Sequence, residues 1–569
     1  MPTGLCLTGI GAVSGLALGR AIWWHKKPIS VEAKSISDPS QEVERLLLAI
    51  QKAKKQINQL RDQTKQRMGE EEAAIFDAHL AFLDDPAFTG EMQRRILQEK
   101  KNAEAICTSL MKEMVHMFSS LPDEYMRSRA DDIQDVGNRL LYHLTGRKNF
   151  DPKLLSPGSI VIAHELSPSD IALLPSQVAA LVLGQGSKTS HAAIMARALG
   201  IPTVIGLGQA VNEIKDGDPL AINGEQGTVI IHPDQTLQYQ IKKELQEKQA
   251  QQETLIKKAA QEAVTKDGKK VKVMANIGSI HEVEIALRYG AEGVGLFRTE
   301  FLYLDSNTWP SEEKQFVAYR EVLKAFSPQP VIVRTLDIGG DKSLPYADQP
   351  QEENPFLGHR GIRYCLSHPS IFKTQLRALL RASAYGNLWI MLPMVGNIYE
   401  IRAVKVLLNE CRQELLQRNI PMGDTIPLGI MIEIPATALM ADRFVQEVDF
   451  VSIGTNDLTQ YALAADRDNE RVAHYYDPLH PAVLQLIKFT CTAANKAGIP
   501  VGVCGELASN PQATELLIGL GVNELSMNAT AIPYIKEKLR QLNSQDAKEK
   551  AHHALTLTDV GSVHRLMNN

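Results

Sequence analysis

The sequence predicts a multidomain α/β protein: a small α/β domain with an inserted α-helical bundle, a helical linker, and a C-terminal (β/α)₈ TIM-like barrel. Three observations predict it. The chain has 569 residues, enough for about three to four domains. β-like patterns at the N-terminus give way to about 115 residues of helical periodicity and then return. From residue 270 onward, eight short apolar segments alternate with helical patterns, which is the number of repeats in a TIM barrel.

Domain boundaries follow the changes in residue pattern. Apolar residues at i, i+3, i+4 and i+7 mark the bundle, and a segment rich in Gln, Lys, Glu and Ala is typical of a solvated spacer helix. The predicted domains are 1–30 plus 148–233 (the α/β domain), 31–147 (the inserted bundle), 234–266 (the linker), 267–545 (the barrel) and 546–569 (a polar C-terminal tail).

Composition excludes several classes of protein. The net charge is −5 and no long basic run is present, so we expect no nucleic-acid binding. Six scattered cysteines without a C-x-x-C pair indicate a reducing compartment, hence a cytoplasmic protein. The apolar N-terminus lacks a basic leading segment, and no apolar run reaches the ~18 residues of a membrane span. We therefore expect neither a secretory signal nor membrane association.

Two carboxylates follow neighbouring strands of the predicted barrel, at the end where TIM barrels carry out their chemistry. Glu433 ends the fifth strand and Asp457 the sixth, one βα unit later. Two hard oxygen ligands beside open space suit Mg²⁺, which keeps waters or takes substrate oxygens at its other positions. The alternative is a structural pair of salt-bridged acids.

Positive charge gathers around this pair of acids. Arg298 and Arg334 end the second and third strands, and guanidinium forks are the usual clamp for a phosphate or carboxylate. A long Gly-rich excursion adds Lys342 and Arg360, and Arg467 lies beyond Asp457. This surplus of cations predicts a small polyanionic substrate.

Cys504 ends the next strand, between Val503 and Gly505. At that position a thiol can give a proton to a carbanion or enolate carbon. A buried, inert cysteine is the alternative.

The stretch "GQGSKTSHAAIMARALGIPTVIG", 184–206, reads as a tight loop followed by a short helix over 192–199. Gly200 supplies a left-handed cap and Pro202 prevents continuation. His191 lies at the positive end of this helix, where free N–H groups favour an anion such as a phosphoryl group. Thr189 and Ser190 are candidates to cap the helix or support that group. A capped structural histidine is the alternative.

These motifs resemble those of the phosphoenolpyruvate-utilising enzymes. "GSKTSHAAIMARALGIPTVIG" is similar to the phosphohistidine segment of that family, and "GLFRTEFLYLD", "RTLDIGGDK", "NPFLGHRGIR", "IEIPA", "SIGTNDLTQY" and "GVCGE" are similar to its substrate barrel. Their order and spacing resemble the enzyme I group, which starts the phosphoenolpyruvate-dependent sugar phosphotransferase system. The resemblance covers nearly the whole chain.

The resemblance implies a reaction and a set of partners. His191 would take the phosphoryl group of phosphoenolpyruvate through Nε2, release pyruvate, and pass the group to the phosphocarrier protein HPr, docked on the inserted bundle. The barrel would form a homodimer. The other implied roles are phosphoenolpyruvate binding by Arg298, Arg334, Arg467, Asn456, Lys342, Arg360 and Asp457, Mg²⁺ binding by Glu433 and Asp457, and protonation of the enolate by Cys504.

Two positions depart from the family pattern. Ser187 stands where the family usually has a second Gly, a poor fit if the loop requires a positive φ there. The N-terminal strand has "AVSG" where Ser-Pro-Gly is usual.

Several functional alternatives remain at this point. One is a regulatory, nitrogen-type phospho-relay enzyme, and another is a barrel that only senses phosphoenolpyruvate. A pyruvate phosphate dikinase-like enzyme would need an ATP-grasp domain for which the helical segment is too short. A C–C lyase on a similar barrel would have no use for a mobile histidine.

Overall fold

A computed structural model describes most of the chain. The described residues are 4–24, 31–68, 70–120, 124–146, 152, 155–188, 190–304, 306, 308–339, 344, 346–347, 352–467, 469 and 471–568. Their contacts divide the chain into two compact units, residues 1–249 and 250–569.

The first unit contains an eight-stranded mixed sheet. Its strands are β1 Leu5–Thr8, β2 Ile10–Val13, β3 Leu16–Trp23, β4 Ser159–Ala163, β5 Ala180–Leu183, β6 Thr203–Ile205, β7 Pro219–Asn223 and β8 Thr228–Ile231. The strand order is β1-β8-β7-β3-β4-β5-β6-β2. Strands β3 to β6 pair in parallel, and the outer strands pair antiparallel. The N-terminal strands thus join a sheet completed by residues more than a hundred positions later.

Five α-helices of 9 to 29 residues lie between β3 and β4 in the part of the chain that the structure describes. The helices of this unit are α1 Pro39–Arg67, α2 Glu70–Asp84, α3 Glu91–Glu99, α4 Ala103–Ser119, α5 Glu124–Thr145, α6 Pro168–Ala172 and α7 His191–Ala198. Asp38 caps α1 by accepting two backbone N–H bonds. One apolar cluster contains Phe76 and Val136 of the helices together with Leu181 and Ala193 from the sheet region. The bundle and the sheet therefore share a core. Helix α8, Gln235–Ala259, follows within the predicted linker.

The second unit is a closed barrel of eight parallel strands, which confirms the predicted fold class. The strands are β9 Lys272–Ile277, β10 Val294–Phe297, β11 Pro330–Arg334, β12 Asn387–Leu392, β13 Leu428–Ile432, β14 Phe450–Ile453, β15 Val501–Val503 and β16 Glu524–Met527. The helices between them are α9 Glu282–Arg288, α10 Phe301–Leu304, α11 Glu312–Phe326, α12 Ile362–Ser367, α13 Pro369–Ala382, α14 Ile398–Gln417, α15 Pro435–Leu439, α16 Ala441–Phe444, α17 Thr455–Leu463, α18 Pro481–Ala497 and α19 Pro511–Leu520.

Side chains fill the interior of the barrel. Leu296, Ile332, Met391, Met431 and Phe450 form a buried apolar cluster. Because the interior is packed, a substrate has room only at an end of the barrel.

The chain ends in helices. After α20 Ile532–Gln541, the segment predicted as a tail (546–569) contains most of α21 Ser544–Ala554 and all of α22 Val560–Asn568. Ala547, Ala551 and Ala554 are buried, and a Cβ added at Gly519 of α19 would lie 1.9 Å from Ala547 O. The small side chains let α21 pack closely against the barrel. The buried face of α21 consists mainly of alanines, which are only weakly apolar. The overall polarity of the segment therefore gave no indication that it packs against the barrel.

Among the described residues, no helix is both long and apolar enough to cross a membrane.

Candidate active site

The carboxyl ends of the barrel strands carry the predicted site residues. Arg298 directly follows β10, and Arg334 is the last residue of β11. Glu433 directly follows β13, Asp457 lies in the first turn of α17, and Cys504 directly follows β15. Since the strands of a closed parallel barrel all run in one direction, these residues lie at one end of it.

A buried charge network surrounds Arg334. Its Nη2 donates to Glu300 Oε1 at 3.0 Å, and its Nη1 lies 3.1 Å from Asp337 Oδ2. The backbone N–H of Asp337 also donates to Glu300. Burial by itself lowers the pKa of Arg334, but Glu300 and Asp337 outweigh burial and the net shift is upward. Among the described residues, the buried Nε of Arg334 has no hydrogen-bond partner, so this fixed cation offers that donor to a ligand.

Arg360 connects this network to Asp457. Its Nε and Nη2 each lie 3.1 Å from an oxygen of Asp337, and its Nη1 and Nη2 lie 3.4 and 3.2 Å from the oxygens of Asp457. Burial lowers the pKa of Arg360, but the two carboxylates more than compensate. A predicted substrate-binding arginine is therefore paired with a predicted metal ligand. Asp457 is thus salt-bridged to Arg360.

Glu433 is fully buried, and among the described residues only one of its oxygens has a hydrogen-bond partner. Oε1 accepts the backbone N–H of Met394, whereas Oε2 is unpartnered there. Met394 has φ +55°, a conformation that is uncommon for non-glycine residues. Burial, Asp457 and Asp337 raise the pKa of Glu433 to about 8. The free oxygen of a buried acid held in this way can be satisfied by a cation.

Cys504 is 3% exposed and belongs to the apolar cluster of the barrel interior. Its Sγ lies 3.8 Å from the carbonyl oxygen of Ile453. Burial raises the pKa of the thiol to about 11, against the opposing effects of a hydrogen bond with Ser452 and the charges of Arg334 and Arg298. The thiol is therefore protonated at neutral pH, as a proton donor must be.

Asn456 is held by Glu506. Its Nδ2 donates to Glu506 Oε1 at 3.0 Å, and its Oδ1 accepts the Glu506 N–H at 2.9 Å. Tyr476 donates to the carbonyl oxygen of Asn456 and also hydrogen-bonds the side chain of Arg467. Arg467 is thus brought to Asn456 and its neighbour Asp457. Lys342 lies outside the described residues.

Arg298 is solvent-exposed, unlike Arg334 and Arg360. The surrounding residues nevertheless desolvate its guanidinium and lower its pKa, and the like charge of Arg334 lowers it further. Two cations kept near each other leave a site that attracts anions.

His191 is the first residue of α7 and is half-buried. Ser190 is the N-cap, and its Oγ accepts the N–H of Ala193 at 3.4 Å. Gly200 has φ +65°, as the left-handed cap in the sequence pattern requires. The helix begins at residue 191 rather than 192, so His191 belongs to its first turn. Thr189 lies outside the described residues.

The loop before His191 accommodates Ser187 without strain. The positive φ, +119°, belongs to Gly186, and Ser187 is absent from the described non-glycine residues with positive φ. The carbonyl oxygen of Ser187 accepts the hydroxyl of Ser190 at 2.9 Å. The departure at this position therefore leaves the turn intact.

Helix α5 contributes an acid that the sequence interpretation overlooked. Burial and the neighbouring Asp132 raise the pKa of Asp131, and His191 lowers it. The carboxylate therefore lies within electrostatic range of the imidazole. Residues 131 and 191 are too far apart in the chain for a spacing rule to connect them.

Three family models match the chain. They describe the N-terminal region of phosphoenolpyruvate-utilising enzymes (residues 8–129), the mobile domain (155–227) and the phosphoenolpyruvate-binding domain (252–544). The last alone covers more than half of the chain. The chain belongs to the phosphoenolpyruvate-utilising enzyme family. His191 lies within the mobile-domain match and the barrel network within the phosphoenolpyruvate-binding match.

Curated members of this family are similar over nearly their whole length. The phosphoenolpyruvate-protein phosphotransferase of Bacillus sp. (strain S) is 45% identical over 556 residues, 98% of this chain and 96% of the relative. Those of Geobacillus stearothermophilus and Staphylococcus carnosus are 44% and 43% identical, covering 98% and 96% of this chain and 96% of each relative. The match thus includes both units.

The site contains further residues to which the sequence analysis assigned no role: Glu300, Asp337, Met394 and Tyr461. Glu300 lies in "FRTE" and Asp337 in "TLDIGG", so their motifs gave a signal. Met394 gave none, because a side chain does not reveal that its backbone N–H faces an acid.

Proposed function

We propose that this chain transfers the phosphoryl group of phosphoenolpyruvate to His191, releasing pyruvate, and then to a histidine of HPr. The observation that carries the proposal is that, among the described residues, the buried Oε2 of Glu433 and the buried Nε of Arg334 both lack a hydrogen-bond partner, while the two charges act on each other. Together they offer one position for a cation and one donor for an anion. Full-length similarity to phosphoenolpyruvate-protein phosphotransferases supports the same reaction.

The residues present fit Mg²⁺. Glu433 and Asp457 would hold it, since both supply carboxylate oxygens and the charge of Asp457 raises the pKa of Glu433, a repulsion that a cation would relieve. Among the described residues, no cluster of three or more His, Cys, Asp or Glu side chains could hold a metal ion. Two protein carboxylates leave positions for substrate oxygens and water. Bound Mg²⁺ would neutralise oxygens of phosphoenolpyruvate.

Each side chain has a defined part in the reaction. Arg298 and Arg334 bind the phosphate and carboxylate oxygens, and phosphoryl transfer needs mainly this positioning and charge stabilisation. Nε2 of His191 attacks phosphorus, so a P–N bond forms while the P–O bond to the enolate breaks. Cys504 gives its thiol proton to C3 of the enolate, pyruvate leaves, and water restores the thiol proton.

The second half of the reaction requires His191 to meet HPr. We assign HPr docking to the bundle α1–α5, which shares a core with the sheet that carries α7. His191 and the barrel belong to different units, so the cycle requires the phosphohistidine region to swivel between partners. Dimerisation through the barrel and a cytoplasmic location complete the proposal.

Labelling with ³²P-phosphoenolpyruvate and Mg²⁺ tests the reaction. We expect acid-labile, base-stable label on wild-type protein, transfer of that label to HPr, and none on His191→Ala. Lack of label on the wild type, or equal label on His191→Ala, would refute the proposal.

A further inference from the structure

Arg360 has no hydrogen-bond donor left for a substrate. A guanidinium carries five N–H donors, one on Nε and two on each Nη. Nε contacts Asp337, Nη2 contacts Asp337 and Asp457, and Nη1 contacts Asp457 and the hydroxyl of Tyr461 at 3.3 Å. All five are occupied. To bind a phosphate, Arg360 must first release one of these partners.

The two carboxylates held by Arg360 are not equivalent. Asp337 is fully buried and also pairs with Arg334, so releasing it would leave a buried charge less compensated. The Asp457 side chain is 15% exposed, and its contacts, at 3.2 and 3.4 Å, are the longer ones. Asp457 is therefore the partner that Arg360 releases more easily.

Holding Asp457 has a consequence for cation binding. Both of its oxygens contact the guanidinium, and a fixed positive charge beside a carboxylate opposes the approach of a divalent cation. A phosphate accepts the same bidentate fork as a carboxylate and can replace Asp457 in it.

We propose that Arg360 couples the binding of substrate and divalent cation: without substrate it holds Asp457 and weakens cation binding, and the substrate phosphate draws it away. This rests on the proposed function, because it takes phosphoenolpyruvate as the phosphate. The coupling is reciprocal, so the cation also strengthens substrate binding by the same factor. Arg360 is here a positioning residue for Asp457.

Mn²⁺ binding followed by electron paramagnetic resonance tests the coupling without reading activity. The full chain carries His191→Ala throughout, so that no phosphoryl group is transferred. In this parent, phosphoenolpyruvate should strengthen Mn²⁺ binding by about 5- to 150-fold, the usual range of coupling between two sites. With Arg360→Gln added, Mn²⁺ alone should bind about tenfold more tightly, since one opposing charge is removed. In this variant, the ratio of Mn²⁺ affinities with and without phosphoenolpyruvate should fall towards one.

Two further variants keep the result decisive. Arg377→Gln removes a charge that pairs with Glu312 and Glu414 on the outer helices, and should match the parent. Arg360→Lys keeps the charge but cannot hold two carboxylates at once, so it should bind Mn²⁺ more tightly than the parent but less tightly than Arg360→Gln. It replaces Arg360→Gln if that variant does not fold.

The proposal is overturned if Mn²⁺ alone binds the Arg360 variants no more tightly than it binds the parent. It is also overturned if phosphoenolpyruvate enhances Mn²⁺ binding equally in all of them. The Mn²⁺-only comparison uses no phosphoenolpyruvate, so its outcome is independent of the labelling of His191. Failure of the proposed function would instead appear as absence of label on the wild-type chain.

Discussion

The two candidate reaction centres are built in opposite ways. His191 is half-buried at the start of an eight-residue helix, with a serine cap and an acid of α5 within electrostatic range. The barrel end encloses five charged side chains that are almost completely buried: Glu300, Arg334, Asp337, Arg360 and Glu433. The His191 centre is partly accessible and held by few interactions. The barrel centre is buried, and several salt bridges join its side chains.

This difference suits a divided reaction. A group that must meet two partners needs an accessible side chain, whereas a site that stabilises developing charge needs donors fixed in place beforehand. Fixing buried charges is costly unless each is paired. The barrel offsets this cost by pairing Glu300, Asp337 and Asp457 with Arg334 and Arg360. Changes at the two centres should therefore have different consequences.

The largest expected effect comes from Cys504→Ser. A serine hydroxyl is a much weaker acid than a thiol with a pKa of about 11, so pyruvate formation should slow by about 10²- to 10⁴-fold. Exchange of phosphoryl groups between His191 and HPr involves no enolate and should keep its rate. Rapid-quench kinetics of the two half-reactions measure this difference.

Cys491→Ser is the matched control. Cys491 is also buried in the barrel unit, but on α18, away from the strand ends. It should leave both half-reactions within twofold of the wild type. Equal slowing of both half-reactions by Cys504→Ser would mean that the thiol supports the fold and donates no proton.

A smaller effect is expected from Glu524, a buried acid outside the candidate active site that has no arginine partner among the described residues. Glu524 begins β16, at the end of the barrel away from the site, and burial raises its pKa from 4.5 to about 7, with Lys272 only partly opposing. The folded chain then binds a proton more tightly than the unfolded chain. Stability should therefore fall as pH rises from about 4.5 to about 7, by up to about 3 kcal/mol.

Glu524→Gln removes this loss. The variant and the wild type should have similar stability at pH 4.5, and the variant should be more stable at pH 8. Calorimetric melting of the full chain at both values measures the difference, with the exposed Glu549→Gln as control. Identical pH dependence in Glu524→Gln and wild type would exclude Glu524 as its source.

Sequence patterns predicted the barrel because its eight strands are buried on both faces and appear as apolar runs. They also brought Glu433, Asp457, Arg334 and Cys504 to one end of it, since strand ends in this fold share a side. What they could not predict were pairings between distant segments. The bond that joins Arg360 to Asp457 spans 97 positions, and only the folded barrel determines it.

Backbone geometry was equally hidden from the sequence. A positive φ at Met394 breaks the rule that such positions favour glycine, and the surrounding site has to impose it. At Ser187, where the family usually has a second glycine, the sequence left open whether both positions require a positive φ. Only Gly186 does. Residue identity therefore indicated the positive φ at Gly186, because glycine favours it, and concealed the positive φ at Met394.

The smallest expected effect is that of Ser187→Gly, which restores the usual family residue. Because Ser187 is unstrained and exposed, the substitution relieves nothing, and it adds freedom to the unfolded chain. Stability should change by no more than about 0.5 kcal/mol, and the rate of His191 phosphorylation by less than about twofold. Gly186→Ser is the contrasting variant, since it places a side chain at φ +119° and should slow phosphorylation measurably. A large increase in stability or in the rate of His191 phosphorylation in Ser187→Gly would contradict this expectation, because it would show that Ser187 constrains the loop.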